Sequence, residues 1–307
     1  MTITRRAFLG QVAASTLISA GVGTVTSEAA KADLSRRSSD AATAEHKIDR
    51  LGLQLYTVRD QMGKDFEGTL AKVAAAGYRE VEFAGYFEHT PKDVRAILDR
   101  HKLTAPSAHV DYASIEKKLP ELLETSQVIG HKFLVNPFVD EEMRKQPDVW
   151  TRLAATFNKA GEACKQAGVQ FAYHNHHFEF VPVNGVMPYE QLLKECDANL
   201  VKMELDLCWI TVARQDPLEY FQRYPGRFPL VHVKGLKSIP EGQAPVPFDQ
   251  AIPNITDVGT DDLIDWKRIF AKADQAGIRH YFVEHDQAPS PFDSIAASAK
   301  YLEALRF

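Results

Sequence analysis

Short runs of ionisable residues recur at comparable places along the second half of this chain. Tyr173-His174-Asn175-His176-His177, Glu204-Leu205-Asp206, His232-Val233-Lys234 and Glu284-His285-Asp286 each close a stretch that is otherwise largely apolar. Histidine and carboxylate together, without sulfur, form a nitrogen and oxygen donor set that suits one divalent Mn, Co, Fe, Zn or Mg ion, with Mn or Zn favoured. Side chains alternate along a strand, so His174 and His176 share a face, as do Glu204 and Asp206, and His232 and Lys234. With Asp206, His232 and Glu284 pointing inward, three ligands converge, and His174 or His176 supplies a fourth. Each residue also has a plainer reading. The histidines can be satisfied core residues, Asp206 can cap the next helix, and Glu284 can be ion-paired to Lys234, because a bare buried carboxylate is costly.

For such residues to meet, short strands must deliver them to one end of a sheet. Strands are expected over residues 51–57, 79–83, 104–109, 132–136, 169–175, 201–206, 228–233 and 281–284. Amphipathic stretches between them include 66–76, 91–101, 150–167 and 263–276, and Gly77, Gly168 and Gly277 stand where a left-handed residue would close three of these helices. Alternating strands and helices, with strands too apolar for a one-sided sheet, imply a parallel sheet covered by helices. Eight strands close it into a single (β/α)8 TIM barrel over residues 49–307. An open doubly wound sheet lacks its usual Gly-x-Gly-x-x-Gly after the first strand. Active side chains in such a barrel lie at the C-terminal strand ends, which adds Gln54 and Tyr56 from the first strand and His109 from the third. The segment 238–260 carries four prolines and no clear period, and is expected to be a lid or a subunit contact.

The 307 residues are 45% hydrophobic and 25% charged, with net charge −5 and no basic block in the expected barrel, which argues against a nucleic-acid partner. Cys164, Cys196 and Cys208 form no Cys-x-x-Cys and read as small buried hydrophobes. Residues 1–32 look like an export signal of the twin-arginine type: Arg5-Arg6-Ala7-Phe8-Leu9, a short apolar stretch, then Ala30-Lys31-Ala32 as a cleavage site. A chance arginine pair in a polar tail is the plainer alternative. The apolar stretch is too short and too rich in Ser, Thr and Gly for a stable membrane span. Residues 33–48 are expected to be a linker, and the mature protein to be periplasmic or secreted. Twin-arginine export moves folded proteins, which suits a chain that loads its metal first.

Several of these runs together resemble the sugar phosphate isomerase/epimerase family, the xylose isomerase-like barrels. The matching pieces are Gly52-Leu53-Gln54-Leu55-Tyr56-Thr57, Tyr173 to Glu179, Glu204 to Trp209, His232-Val233-Lys234 and Val283-Glu284-His285-Asp286. The resemblance implies a metal held by Glu, Asp, His and Glu from strands five to eight, of which the last three correspond to Asp206, His232 and Glu284. The first departs from the pattern: the family's Glu-Asn-His is His174-Asn175-His176 here, and which histidine touches the metal is open. Lys234 corresponds to a lysine that reaches substrate oxygens, and His109 to a pocket histidine. Gly235 stands where relatives often have Asp. Trp209 either stacks on a sugar face or packs the barrel.

What the resemblance implies about activity is proton abstraction next to a sugar carbonyl, with the metal stabilising the enediolate. Glu284 and His176 are expected to transfer protons, while Lys234 and His109 hold oxygens. With one of the two family glutamates replaced, a symmetric epimerase is weakened, and isomerisation or β-elimination is favoured. The expected partner is a small unphosphorylated sugar or keto-sugar, with homo-oligomerisation left open. A lyase or hydratase acting on 3-keto-glycosides is the first alternative, and a non-catalytic sugar-binding barrel the second.

Overall fold

The computed structural model describes residues 45–242 and 245–307. The expected export signal, and the expected linker up to residue 44, lie outside the described residues. Eight parallel strands form the barrel. They are β1 (Leu51–Gln54), β2 (Glu80–Phe83), β3 (Thr104–His109), β4 (Phe133–Asn136), β5 (Gln170–His174), β6 (Val201–Asp206), β7 (Leu230–Val233) and β8 (His280–Val283). Each pairs with its sequence neighbour, and β1 pairs with β8 to close the sheet, so no edge is left exposed.

The principal helices are α1 (Phe66–Ala75), α2 (Pro91–Arg100), α3 (Tyr112–Ile129), α4 (Val149–Gln166), α5 (Pro188–Glu195), α6 (Leu207–Val212), α7 (Pro217–Arg223), α8 (Trp266–Phe270) and α9 (Pro291–Ala304). Local chemistry sets their ends. Asp65, Thr90 and Asp111 each accept a backbone N–H in the first turn of α1, α2 and α3. Gly77, Gly168 and Gly277 all have positive φ, as a helix-ending glycine requires. The helix expected over 263–276 is broken instead into Trp266–Phe270 and Ala273–Ala276. Asp262 accepts from the backbone N–H of both Leu236 and Ile264, which ties the first residues of that stretch to an extended segment rather than a helix. No described helix is long and apolar enough to cross a membrane.

The barrel interior is layered. At the base, His280 Nδ1 lies 2.7 Å from Glu80 Oε2. Above it, Phe282, Leu230, Ala172 and Val135 form a small apolar plug. Gly52 makes room for that plug, because a Cβ there would lie 2.5 Å from Phe282 Cδ1. The larger apolar core lies between the outer face of the sheet and the helices. Cys164, Cys196 and Cys208 are all free and buried. His46, inside the segment expected as a linker, exchanges both backbone hydrogen bonds with Phe307 and so joins the barrel.

His131 links two strand systems. Its Nδ1–H donates to the Ala105 carbonyl at 2.6 Å, which leaves Nε2 to accept from Tyr86 Oη at 2.9 Å. Burial pushes its pKa down to about 4. The folded chain therefore holds this imidazole neutral where the unfolded chain would protonate it, and the stability it contributes is present above about pH 6.5 and lost as pH falls towards about 4. Denaturant unfolding across that window should show stability rising with pH by about 3 kcal/mol more in the wild type than in His131→Gln. Parallel pH curves for the two proteins would refute this assignment.

Candidate functional site

Above the apolar plug the barrel turns polar, and strand register decides which groups meet. Gln54 pairs in register with Glu82, Glu82 with Ser107, His174 with Glu204, and Asp206 with His232. Glu82, Ser107, Glu204, Asp206 and His232 are fully buried, and His174 nearly so. Gln54 Nε2 donates to Glu82 Oε2 at 2.7 Å, and Ser107 Oγ donates to the other oxygen of the same carboxylate. His232 spans two levels: its Nδ1 lies 2.8 Å from Glu284 Oε2, and its Nε2 lies 2.8 Å from Glu82 Oε2.

The upper level holds Asp206, His232 and Glu284, each offering one donor atom within 4.8 Å of the others. Asp206 does cap α6, with Oδ1 accepting from the N–H groups of Cys208 and Trp209 at 2.9 and 2.7 Å. Its other oxygen, Oδ2, is buried with Lys234 Nζ 3.2 Å away. The cap and the proposed ligand role thus use different oxygens of one carboxylate. Asn175 braces this level, its Oδ1 accepting from Asp206 N at 3.1 Å. Lys234 Nζ sits 3.2 Å from Asp206, 2.8 Å from Glu284 and 3.0 Å from Asp286.

The charges answer one another. Burial pushes the Asp206 carboxyl up to about 6 against the pull of Lys234 and His232. Glu284 is also pushed up by burial, but Lys234 and His232 outweigh it and hold the carboxyl well below its usual range. Burial opposes charge on His109 and His232, yet the carboxylates beside them win, raising His109 to about 9 and His232 well above its usual value. Burial drives His174 and His176 well below theirs, with repulsion from His232 adding to it at His174 and from Lys234 at His176, and both are neutral.

A cavity of about 670 Å³ opens over this level. Glu284, Asp286, Lys234, His174, His176 and His109 face it from the strand ends, and Tyr56, Tyr86, Phe138 and Phe248 form an aromatic wall. The long segment expected as a lid or subunit contact lends Phe248 and Ile252 to this wall, and His177 Nε2 holds it through the Val246 carbonyl. Gly235–Leu236, just before that segment, and Ile255–Thr256, within it, form a short antiparallel ladder. That ladder accounts for Gly235, where a Cβ would lie 2.7 Å from the Asp257 carbonyl and 2.8 Å from that of Thr256. No side chain fits there, and Asp286 partners Lys234 instead.

Two expected substrate contacts are placed elsewhere. Gln54 is fully buried and turned to Glu82, because the interior carboxylate needs a donor. Trp209 is fully buried among His176, His177 and Phe248, with Lys234 Nζ 5.3 Å from its ring centroid, so it backs the site rather than lining it. Tyr56 does line the cavity. His176 belongs to neither of the donor groups that the described residues form, whereas His174 belongs to one. Glu82 and Glu204 were missed as site residues. The signal that points to them is a carboxylate inside an apolar strand, and Glu204 also has the parity of Asp206.

Residues 70–306 match the family of xylose isomerase-like TIM barrels, and the chain belongs to it. Among curated relatives, it is 24% identical over 274 residues to an inosose dehydratase of Lacticaseibacillus casei, spanning 80% of this chain and 91% of that one. A solved structure of a sugar phosphate isomerase/epimerase from Parabacteroides distasonis is 26% identical, with a TM-score of 0.66 over 86% of this chain and 97% of that one. The structure of an IolI protein with a bound zinc atom shares the fold at 13% identity, with a TM-score of 0.64 over 82% of this chain and 95% of that one.

Among the described residues, Lys234 is the Lys or Arg ion-paired to the carboxylates that line the upper level. Replacing it by Met strands buried charge, so Lys234→Met should lose about 3 kcal/mol of stability when unfolded by urea in the presence of a chelator. An added divalent cation should restore part of the loss. Unchanged stability in chelator would show that the ammonium does not hold this level together.

Proposed function

We propose that the protein is a divalent-metal-dependent carbon–oxygen lyase that removes a proton next to the carbonyl of an unphosphorylated keto-sugar or keto-polyol and expels the oxygen substituent one carbon further on. The observation that carries this reading is the convergence of Asp206, His232 and Glu284 under a cavity that also receives Lys234 and His176. The donor set fits a cation: it mixes imidazole and carboxylate, and Asp206 Oδ2, buried beside the Lys234 ammonium, is not used by the helix cap. Asp206, His232 and Glu284 would hold the ion, with His174 beside them. When bound, it would polarise the substrate carbonyl and offset the negative charge that develops as the neighbouring proton leaves.

The chain's own groups do the rest. Glu284 is ionised and faces the cavity, and it takes the proton from carbon. His176 is neutral, lines the same cavity, and has no partner on Nδ1. The proton held on Glu284 passes across the cavity to the departing oxygen, and His176 donates a hydrogen bond to that oxygen as it leaves, so one proton leaves carbon and one reaches oxygen. The carbon–hydrogen and carbon–oxygen bonds break, a double bond conjugated to the carbonyl forms, and water or an alcohol leaves. Lys234 and His109 hold substrate oxygens, and the aromatic wall excludes water from the proton path.

Elimination is favoured over isomerisation by the curated relative's dehydratase activity and by the replacement of one expected glutamate by His174. The export signal read in residues 1–32 supports an unphosphorylated substrate, since sugar phosphates are intracellular metabolites.

Purified protein loaded with Mn²⁺ and given an inosose or a 3-keto-glycoside in D₂O should release water or the aglycone and exchange the proton next to the carbonyl. Chelation should stop both. Glu284→Gln should lower turnover by about 10³-fold with an unchanged circular dichroism spectrum. Near-normal turnover in that variant would remove Glu284 from the mechanism, and a product that keeps every atom of a ketose would replace elimination by isomerisation.

A further inference from the structure

The cavity over the upper level has two unlike sides. His174, His176, Lys234, Glu284 and Asp286 come from the ends of β5, β7 and β8. Beyond His109, the other side is built by the loops after β2, β3 and β4 and by α3, and it presents Tyr86, Val110, Leu122, Pro137 and Phe138. The polar groups there are already paired. Tyr86 Oη donates to His131 Nε2 at 2.9 Å, so the residue offers the cavity its ring rather than its hydroxyl. Asp111 Oδ1 accepts from Ser114 N at 2.9 Å, and its Oδ2 accepts from Ser114 Oγ at 2.6 Å. Sugar hydroxyls buried against this surface would lose their hydrogen bonds to water and gain none.

Size and direction say what fills it. The cavity holds about 670 Å³. A hexose has about a dozen heavy atoms, and at a water molecule's ~30 Å³ apiece it fills little more than half of that space. With the sugar seated at Lys234 and Glu284, the apolar side is still open. The His176 ring, which faces the departing oxygen in the elimination, stands 5.2 Å from the Phe138 ring and 5.4 Å from the Phe248 ring, centroid to centroid. A group carried on that oxygen is therefore delivered to these two rings, with Leu122 and Ile252 lining the same cavity. Phe248 is braced from behind by Trp209 at 5.3 Å and His177 at 4.7 Å, so the wall is in place before a ligand arrives.

We propose that this side is a subsite for an aromatic or other flat apolar aglycone, which makes the substrate a keto-glycoside of an apolar alcohol rather than a free keto-polyol. The placement of the leaving group rests on the elimination reading, whereas the apolar character of the subsite does not. In the reaction, a proton leaves the carbon next to the carbonyl and the bond from the following carbon to the glycosidic oxygen breaks. The alcohol departs with that proton, and the sugar keeps the new double bond, with no oxidant or reductant consumed.

Two pairs of probes separate the subsite from the chemistry. 2-Phenylethyl and methyl β-glucoside carry no carbonyl and report binding alone, by isothermal titration calorimetry on the Mn²⁺-loaded full chain. Their 3-keto counterparts, whose alcohols leave with similar ease, report turnover. The phenylethyl glucoside should bind about 30-fold more tightly than the methyl glucoside, and kcat/KM should favour the phenylethyl keto-glucoside by a similar factor. Leu122→Asn should cut both ratios about fivefold, and Leu122→Met should keep them, with circular dichroism verifying that each variant is folded. Equal affinity for the two glucosides, or none for either, would overturn the subsite, and turnover of both keto-glucosides alongside that result would leave elimination standing. A phenylethyl preference unchanged in Leu122→Asn would overturn the placement of the aglycone on this side. A preference that Leu122→Asn does reduce, with neither keto-glucoside turned over, would keep the subsite and overturn elimination.

Discussion

Carboxylates inside a closed sheet must be neutralised, and most of this structure follows from that. Glu82, Glu204, Asp206 and Glu284 are removed from water by the barrel wall, where an unpaired charge would cost several kcal/mol. Each is met by a cationic or hydrogen-bonding group from a different strand. Lys234 serves the upper group, His109 and His232 serve the lower, and Gln54 and Ser107 complete the shell of Glu82. Breaking any of these contacts leaves a charge that water cannot reach. The arrangement is therefore held more tightly than packing alone would hold it.

The scaffold builds this interior by dividing labour along the barrel axis. At the base, the His280–Glu80 contact and an apolar plug close the sheet, with Gly52 yielding space to Phe282. Apolar packing is concentrated there and in the layer between strands and helices. The top is left free for polar groups that a stability-driven core would not contain. Tolerance differs accordingly: a cavity-making change in the apolar layers costs packing, whereas a change at the top alters charge balance.

The departure at the end of β5 is chemically coherent with its surroundings. A glutamate at position 174 would add another carboxylate beside Glu204 and Asp206. The neutral imidazole of His174 avoids that, and it presents Nδ1 to Glu204 and Nε2 towards Asp206. Gly235 is coherent in the same sense. The short ladder that anchors the cavity-covering segment leaves no room for a side chain, and the acidic partner of Lys234 comes from Asp286 instead.

By itself the sequence determined the barrel, its strand and helix spacing to within a few residues, and the glycine-closed helix ends, because alternation, helical period and left-handed turns are local properties of the chain. It also marked the strand ends that carry His174, Asp206, His232, Lys234 and Glu284. Tertiary structure alone decided which of these face one another, since register across hydrogen-bonded neighbours sets height in the barrel and no local pattern encodes it. That is why sequence alone does not single out Glu82 and Glu204, why Gln54 turns to an interior carboxylate rather than to the cavity, and why Trp209 is a buried backing for Lys234. A carboxylate in an apolar strand can face a helix or a barrel interior with the same alternation, and only closure of the sheet shows which.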